Sequence, residues 1–510
     1  MPSPAEVIIG LDVGTTGVKA VAFAPGQAWR SLARRDCPPL QGSGGEEVQD
    51  PATILAAAGA ALEECASATD GAVVLAICVS TAMHGLIGLD SERRPLTPLI
   101  TWADARASAQ ARELRASDVN LHALTGVPVH PMAPLAKLAW FATNDPATLA
   151  RARWWVGLKE LVLGWLTGVV CTELSSASGT GMLDLKRRAW SETAVALAGI
   201  RSDQLAEIRP PTGTLPLASE TAARVGLARG TPVVLGAGDG PLGNLGTGAI
   251  APGGAGMSLG TSGAVRIALE QPAVDAAGTL FCYALTDALW VLGSAISTGG
   301  AVLGWIDDVF ATEAPPDRGT GAEALALAAQ APPGCDGLVM LPYLLTERGP
   351  LWDPDVRGAY LGLRREHGRA HLARAAIEGV CIQMRLILDR LEQVASVSSI
   401  RATGGVFRSE LWREVMAAMV GRPFELSGEE EGTAAGAAAL GLFALGRAAS
   451  LADALALLSG DDGPRPIPVT VDRELAGVYD RVRATIPSRI AELDTLSRAF
   501  GSLEPAATVS

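Results

Sequence analysis

Two distant stretches of the chain repeat one pattern of apolar and polar positions. Ile9-Gly10-Leu11-Asp12-Val13 leads into the turn Gly14-Thr15-Thr16-Gly17 and a second apolar run, Val18 to Phe23. Far downstream, Gly256 to Leu259 leads into Gly260-Thr261-Ser262-Gly263 and the run Ala264 to Leu269. An apolar run, a glycine-bearing turn and a second apolar run predict a β-hairpin. Its recurrence predicts two domains of similar fold whose turns face a shared cleft. The segment Ala251-Pro252-Gly253-Gly254, without periodicity, marks a connection between them.

Elsewhere short apolar runs alternate with helical stretches, as in α/β folds. Ala72 to Val79 and Thr231 to Leu235 read as buried strands, and Ser399 to Thr403 as a strand ending at Gly404-Gly405. Helices are expected over Thr53 to Glu64 after the Asp50-Pro51 turn, over Pro134 to Phe141, and over Ser409 to Val420 with Ser409 as N-cap. Thr433 to Leu445 reads as a small-residue helix that packs under the Gly404-Gly405 turn. The tail after Ser450 is helical in pattern, and Ser502 to Ser510 reads as disordered.

A chain of 510 residues with 48% hydrophobic side chains can bury two large cores. The net charge of -13 excludes a general phosphate-binding field, so nucleic acid is not an expected partner. The seven cysteines are scattered with no Cys-x-x-Cys pair and read as reduced, buried thiols. The N-terminal apolar run lacks a basic leader and is broken by Asp12, and the uncharged stretch Ala434 to Gly446 is too short to span a bilayer. These features predict a cytoplasmic protein without a membrane segment.

The candidate chemistry is phosphoryl transfer, which needs donors around phosphates, a cation, and a carboxylate to orient the attacking hydroxyl. Gly14, Thr15, Thr16 and Gly17 can offer backbone N–H groups and hydroxyls to a phosphate, as glycine-rich nests do. Asp12 could hold Mg²⁺ through water, and Lys19 could reach the transferred group. Gly260, Thr261 and Ser262 offer a second such turn. In Gly236-Ala237-Gly238-Asp239-Gly240, Asp239 reads as a carboxylate exposed at a strand end. Extended through Pro241 and Leu242 to Gly243, the segment contains a formal Gly-x-Gly-x-x-Gly match beginning at Gly238, so a nucleotide-dependent dehydrogenase has to be weighed. Against it, Asp239 would sit where pyrophosphate approaches, and no acidic residue follows at ribose-binding distance. A sugar pocket is expected from Met83 and His84 after one strand and from Trp102, Asp104 and Arg106 after another. In that reading Arg106 either supplies charge to a ligand or holds Asp104. A non-catalytic sugar-binding protein is the other alternative, and retention of Asp239 speaks against it. His367 and His371, four apart on a helix, read as a solvated face.

These residues resemble the FGGY carbohydrate kinases over roughly Val7 to Leu445. Two long strings carry the resemblance: Met132-Ala133-Pro134 through Lys137, Trp140 and Asn144, and Gly358 through Gly362-Leu363 to His371-Leu372, Ala375 and Glu378. The resemblance implies an α/β protein of two related actin-like, ribonuclease H-like domains flanking a nucleotide and sugar cleft. The sugar-binding domain would span 1–250, the ATP-binding domain 251–450, and a helical extension 451–510. It also implies ATP and Mg²⁺ as cofactors, Asp239 as catalytic base, and Asp12 with Thr15 at a metal-linked phosphate turn. Gly300, Gly404 and Gly405 match nucleotide-contacting positions, although Val406 stands where many relatives have a third glycine. Met83, His84, Trp102, Asp104 and Arg106 match substrate-side positions. The strings Ser80 to His84, Pro95 to Asp104 and Asn244 to Ile250 look most like the gluconokinase branch, which implies D-gluconate as substrate, with xylulose or another neutral sugar or polyol as the alternative. A homodimer is left open.

Overall fold

The computed structural model describes residues 5–42, 45–310, 321–428, 431–460 and 466–501. The chain divides into two compact units, each discontinuous in sequence. The first comprises 1–252, 267–292 and 429–465; the second comprises 253–266, 293–428 and 466–510.

In the first unit six strands form the main sheet: β1 (Glu6–Val13), β2 (Gly17–Phe23), β3 (Arg30–Asp36), β4 (Val73–Thr81), β5 (Thr214–Pro216) and β6 (Pro232–Gly238). Their order is β5-β6-β4-β1-β2-β3. β1 and β2 make the expected antiparallel hairpin, with Asp12 opposite Lys19. β4 runs parallel to β1, and β6 parallel to β4. Both faces of this sheet are covered, which is why its central strands read as nearly continuous apolar runs. On one face Val7, Ile9 and Leu11 pack with Ile54, Ala58 and Leu62 of the helix Pro51–Ser67. That helix starts where Asp50 accepts from Thr53 N and Pro51 occupies the first turn.

On the other face Ile8, Cys78 and Val234 pack with Ala434, Ala437 and Ala438. Those alanines belong to the helix Gly432–Ala444, so the small-residue helix packs on the first unit's sheet. Its composition explains the position. At Gly10 in β1 an added Cβ would lie 2.2 Å from Ala434 O, so helix and strand backbones meet with no side chain between them. The segment 267–292 also joins this unit: Cys282 N donates to Gly126 O at 2.8 Å, Ala284 N to Ser178 Oγ at 3.0 Å, and His122 Nε2 bonds Leu280 O at 2.7 Å.

The second unit is built on β7 (Gly254–Leu259), the start of β8 (Gly263–Leu269), β9 (Ser399–Thr403), β10 (Phe424–Leu426) and β11 (Ile467–Val469), in the order β8-β7-β9-β10-β11. β9 is parallel to β7, and β10 to β9. A hairpin followed by two parallel strands is also the order β2-β1-β4-β6, so the echo in sequence is a repeat in topology. The long helix Arg369–Glu392 carries a buried polar network: Glu378 Oε1 accepts from Arg374 Nε at 2.9 Å and from Tyr479 OH at 2.7 Å. Tyr479 lies in the helix Arg473–Gly501; the tail Ser502 to Ser510 is outside the described residues. Ser409 is the N-cap of Glu410–Val420, but its side chain makes no capping bond.

All seven cysteines are buried and free. Among the described residues no helix is long and apolar enough to cross a membrane.

Candidate active site

The register of the first unit's sheet brings Asp12 to one level with Ser80 and with the strand end that leads into Asp239. Asp12 pairs with Ser80, Ala237 with Ser80, and Gly238 with Thr81. The carboxyl ends of β1, β4 and β6 therefore form a common edge, the position at which open parallel sheets bind ligands. Asp239 opens the helix Asp239–Gly246 directly after β6, with no intervening loop. That junction also disposes of the dinucleotide reading, because Gly238 is still in the strand and no glycine loop is left to cradle a pyrophosphate. Asp239 Oδ1 accepts from Gly240 N at 2.7 Å.

Asp12 Oδ1 accepts from Ser80 Oγ at 2.8 Å. Burial, and then the negative charge of Asp239, push the Asp12 carboxyl up to about 6, against the opposing pull of the Ser80 bond and Lys19. The two carboxylates are thus close enough to sense each other. Lys19, opposite Asp12 on β2, pairs with Glu431 at 2.6 Å. Glu431 gave no signal in the sequence, since it lies 412 residues away and returns to this sheet only with the helix Gly432–Ala444.

The turn after β1 is held from within and from outside. Gly14 N donates to Gly17 O at 2.9 Å, Gln49 Nε2 to Thr15 O at 2.8 Å, and the Trp102 indole to Thr15 Oγ1 at 2.9 Å. Thr16 is exposed at the tip and its carbonyl accepts from Cys37 N at 2.9 Å. Trp102 is therefore brought onto the expected phosphate turn.

Asp104 and Arg106 lock onto one another. The Asp104 oxygens accept from Glu47 N at 2.8 Å and from Arg106 N at 3.1 Å, Nε at 2.9 Å and a terminal guanidinium nitrogen at 2.7 Å. The guanidinium also lies 5.3 Å from the Trp140 ring centroid and 3.5 Å from Glu46. Of the two readings of Arg106, this geometry matches the one in which it holds Asp104.

Met83 and His84 line a cavity of about 40 Å³ with Thr81, Lys159, Ser176 and Thr180. His84 has φ +66°, and its Nδ1 bonds Gly179 O at 2.8 Å while Nε2 faces Tyr283 OH at 3.3 Å. Tyr283 comes from 267–292 and gave no sequence signal, since Phe281-Cys282-Tyr283 reads simply as strand. Lys137, at 0% exposure, donates to His84 O and Thr101 O, both at 2.6 Å. It thereby links the segments bearing His84 and Trp102.

In the second unit, three glycine-bearing segments converge. Gly260 N donates to Ser262 O at 2.8 Å, Gly299 N to Thr261 O at 2.8 Å, and Gly300 N to Gly260 O at 2.6 Å. Gly404 has φ +125°, and an added Cβ there would lie 2.0 Å from Leu259 O, so only glycine fits. At Gly405 an added Cβ would meet open space. Val406 closes the group, its Cγ1 lying 2.8 Å from a Cβ built on Gly300. His367 and His371 lie outside this group. They accept backbone N–H bonds from Arg364 at 2.9 Å and Gly368 at 3.2 Å, fixing the loop that enters the helix Arg369–Glu392.

A repeated hairpin sheet with carboxylates at the strand ends, and a second glycine-lined turn, define a sugar-kinase type of actin-like protein. The comparisons agree with that class. Residues 7–246 match the N-terminal domain, and residues 255–445 the C-terminal domain, of the FGGY family of carbohydrate kinases. The chain belongs to this family. It is 37% identical over 451 residues to a gluconokinase of Bacillus subtilis (strain 168), covering 86% of this chain and 88% of that protein. It is 29% identical over 451 residues to a xylulose kinase of the same organism, covering 86% and 89%. Among solved structures, a gluconate kinase from Lactobacillus acidophilus matches with a TM-score of 0.89 at 31% identity, covering 98% of this chain and 99% of that one.

Proposed function

We propose that this carbohydrate kinase transfers the terminal phosphoryl group of ATP to D-gluconate, giving 6-phosphogluconate. The observation that carries the phosphotransfer reading is the shared edge of Asp12, Ser80, Thr81 and Asp239 at the ends of parallel strands. The substrate reading is supported by 37% identity to a gluconokinase against 29% to a xylulose kinase over the same share of the chain.

In this reading Asp239 orients the attacking hydroxyl and accepts its proton, a role that asks chiefly for alignment when the transition state is loose. Met83, His84 and Trp102 contact the sugar, and Asp104 with Arg106 fixes the backbone that carries Trp102. Gly14, Thr15, Thr16 and Lys19 serve phosphate binding in the first unit. Gly260, Thr261, Ser262, Gly300, Gly404 and Gly405 serve nucleotide binding in the second.

Among the described residues no three His, Cys, Asp or Glu side chains are grouped to hold a metal. A site with Asp12 and Asp239 as its nearest carboxylates fits a cation held largely by phosphate oxygens and water, as Mg²⁺ usually is. Asp12 would hold it through water, and when bound it neutralises charge on the phosphoryl oxygens.

The test is a coupled ADP-release assay with ATP and a panel of aldonic acids, pentuloses and polyols. The proposal expects the highest kcat/KM with D-gluconate. A clear preference for D-xylulose or another neutral sugar removes the gluconate assignment and leaves the family membership untouched.

A further inference from the structure

Asp239 sits in a stretch of chain that has little conformational restraint of its own. Gly236, Gly238 and Gly240 surround it, and glycine leaves the backbone freer to rotate than any other residue. Because β6 runs into the helix Asp239–Gly246 without a loop, the direction of the Asp239 side chain follows the orientation of the peptide between Ala237 and Gly238. Pairing of Ala237 with Ser80 and of Gly238 with Thr81 on β4 holds that peptide in part, and contacts from beyond the sheet complete the hold.

Both of its polar atoms are held. The Ala237 carbonyl accepts from Lys159 Nζ at 3.0 Å, and the Gly238 N–H donates to Ser175 Oγ at 3.1 Å. Lys159, in the first turn of the helix Leu158–Thr167, is 1% exposed. Its ammonium also donates to Val79 O at 2.6 Å and Leu235 O at 2.9 Å, so each of its three N–H bonds finds a carbonyl. The carbonyls can converge because the register of β6 against β4 shifts between Val234 and Ala237. Within that shift Gly236 has φ +78°, and an added Cβ would lie 1.8 Å from Val79 O. Ser175 is set by Glu173, the N-cap of the helix Leu174–Ser178, which accepts from Ser175 N and from Ser176 N at 3.0 Å. Glu173 is itself fully buried and lies 3.8 Å from Lys159 Nζ, so the buried cation has its counter-charge beside it. Met83 closes the third side, its Sδ 2.4 Å from a Cβ built on Gly238.

We infer that Lys159, Glu173 and Ser175 form a positioning clamp that aims the Asp239 carboxylate by fixing the Ala237–Gly238 peptide. The inference rests on the reading of Asp239 as the base. A strand end of a parallel sheet does not otherwise need a buried ammonium, since an apolar side chain of similar length would fill the same volume without the desolvation cost. What the cation adds is a fixed direction for three carbonyls at once.

The test uses the full-length protein and three variants, with kcat, both KM values, sugar binding by calorimetry and thermal unfolding measured for each. Lys159→Met with Glu173→Gln removes both charges while keeping side-chain length, which avoids an unpaired buried ion. It is expected to bind sugar and nucleotide within about 3-fold of the parent while kcat falls by about 10- to 100-fold, the scale of a misplaced catalytic group. Ser175→Ala, a much smaller change, is expected to lower kcat by about 3- to 10-fold with both KM values unchanged. A purely structural role would lower the unfolding temperature without separating kcat from KM. A folded double variant with parental kcat overturns the clamp. If the double variant does not fold, Ser175→Ala decides, and unchanged kcat there overturns it equally. Asp239→Asn is measured in parallel: parental turnover in that variant would fault the base reading, whereas loss there with full activity in the clamp variants would fault the clamp alone.

Discussion

The indole of Trp102 donates its N–H to the hydroxyl of Thr15 at 2.9 Å, joining an expected sugar-side residue to an expected phosphate-side turn. The Thr15 hydroxyl oxygen accepts that bond, so the turn's position is tied to that of the loop bearing Trp102. Trp102→Phe removes the donor and keeps most of the ring. Loss of one such bond is worth about 1 kcal/mol, so kcat/KM is expected to fall about 5- to 10-fold for both substrates. Steady-state kinetics with each substrate varied in turn checks this, and a change confined to one substrate would argue against a shared link.

Asp239→Asn is expected to retain sugar binding while lowering kcat by about 10²-fold or more, the usual scale for loss of an aligned proton acceptor. Turnover near the parental rate would reject the assignment.

Arg106→Ala leaves Asp104, at 1% exposure, without the guanidinium that forks onto it. Breaking a buried pair in this way costs about 3–5 kcal/mol. The expected outcome is a marked fall in unfolding temperature and a parallel loss of kcat/KM on gluconate and xylulose. A loss selective for gluconate would mean that the guanidinium faces the substrate carboxylate.

Glu347 is 0% exposed, and burial pushes its carboxyl up to about 7 even though Ser297 N and Arg348 N both donate to it. A carboxyl whose native pKa exceeds its unfolded one binds protons more tightly when folded. Its contribution to stability therefore declines as pH rises from about 4.5 to about 7, and the penalty is fully present above that window. Glu347→Gln is expected to be more stable than the parent at pH 8, by an amount on the order of 3 kcal/mol, and to show no gain at pH 4. Denaturant titrations at both values decide it, and an equal difference at the two pH values would contradict the account.

Gly404 and Gly405 separate structural from ligand effects. Gly404→Ala forces a side chain onto Leu259 O and should unfold the turn, whereas Gly405→Ala meets open space. If nucleotide passes over this turn, Gly405→Ala raises the KM for ATP several-fold with no change in unfolding temperature. An unaltered KM for ATP would remove Gly405 from the nucleotide site.

Much of the fold was legible because its signals are local. The Gly14 to Gly17 and Gly260 to Gly263 turns announce hairpins, and Asp50-Pro51 announces a helix start. Ser399 to Thr403 shows its strand by apolar alternation and a double glycine. The candidate carboxylate Asp239 stood out because glycines isolate it. What stayed hidden depends on contacts across hundreds of residues. Lys159 looks like a solvated charge at a helix start until three carbonyls are brought to it by strands far away in sequence. Glu431 and Tyr283 carry no local mark either, and the helix Gly432–Ala444 could be recognised from its small residues without revealing which sheet it covers. Arg106 was readable as a cation, but only its bidentate geometry tells a ligand contact from a support for Asp104.

The return of the helix Gly432–Ala444 to the first unit has a consequence for synthesis on the ribosome. Until that helix emerges, the face of the sheet that carries Ile8, Cys78 and Val234 lacks the alanines that form most of its cover, with only Leu242, Leu245, Leu285 and Val291 of the same buried cluster made earlier to cover it, although every strand of the sheet has been made by Gly238. Translation at about 5–20 residues per second leaves that face waiting for roughly 10 to 40 s. During that interval the nascent chain displays an apolar sheet surface of the kind that chaperones recognise. The first unit is thus begun first and finished late, and conditions that slow elongation between Pro252 and Gly432 should lower the yield of soluble enzyme more than equal slowing near the C-terminal helix.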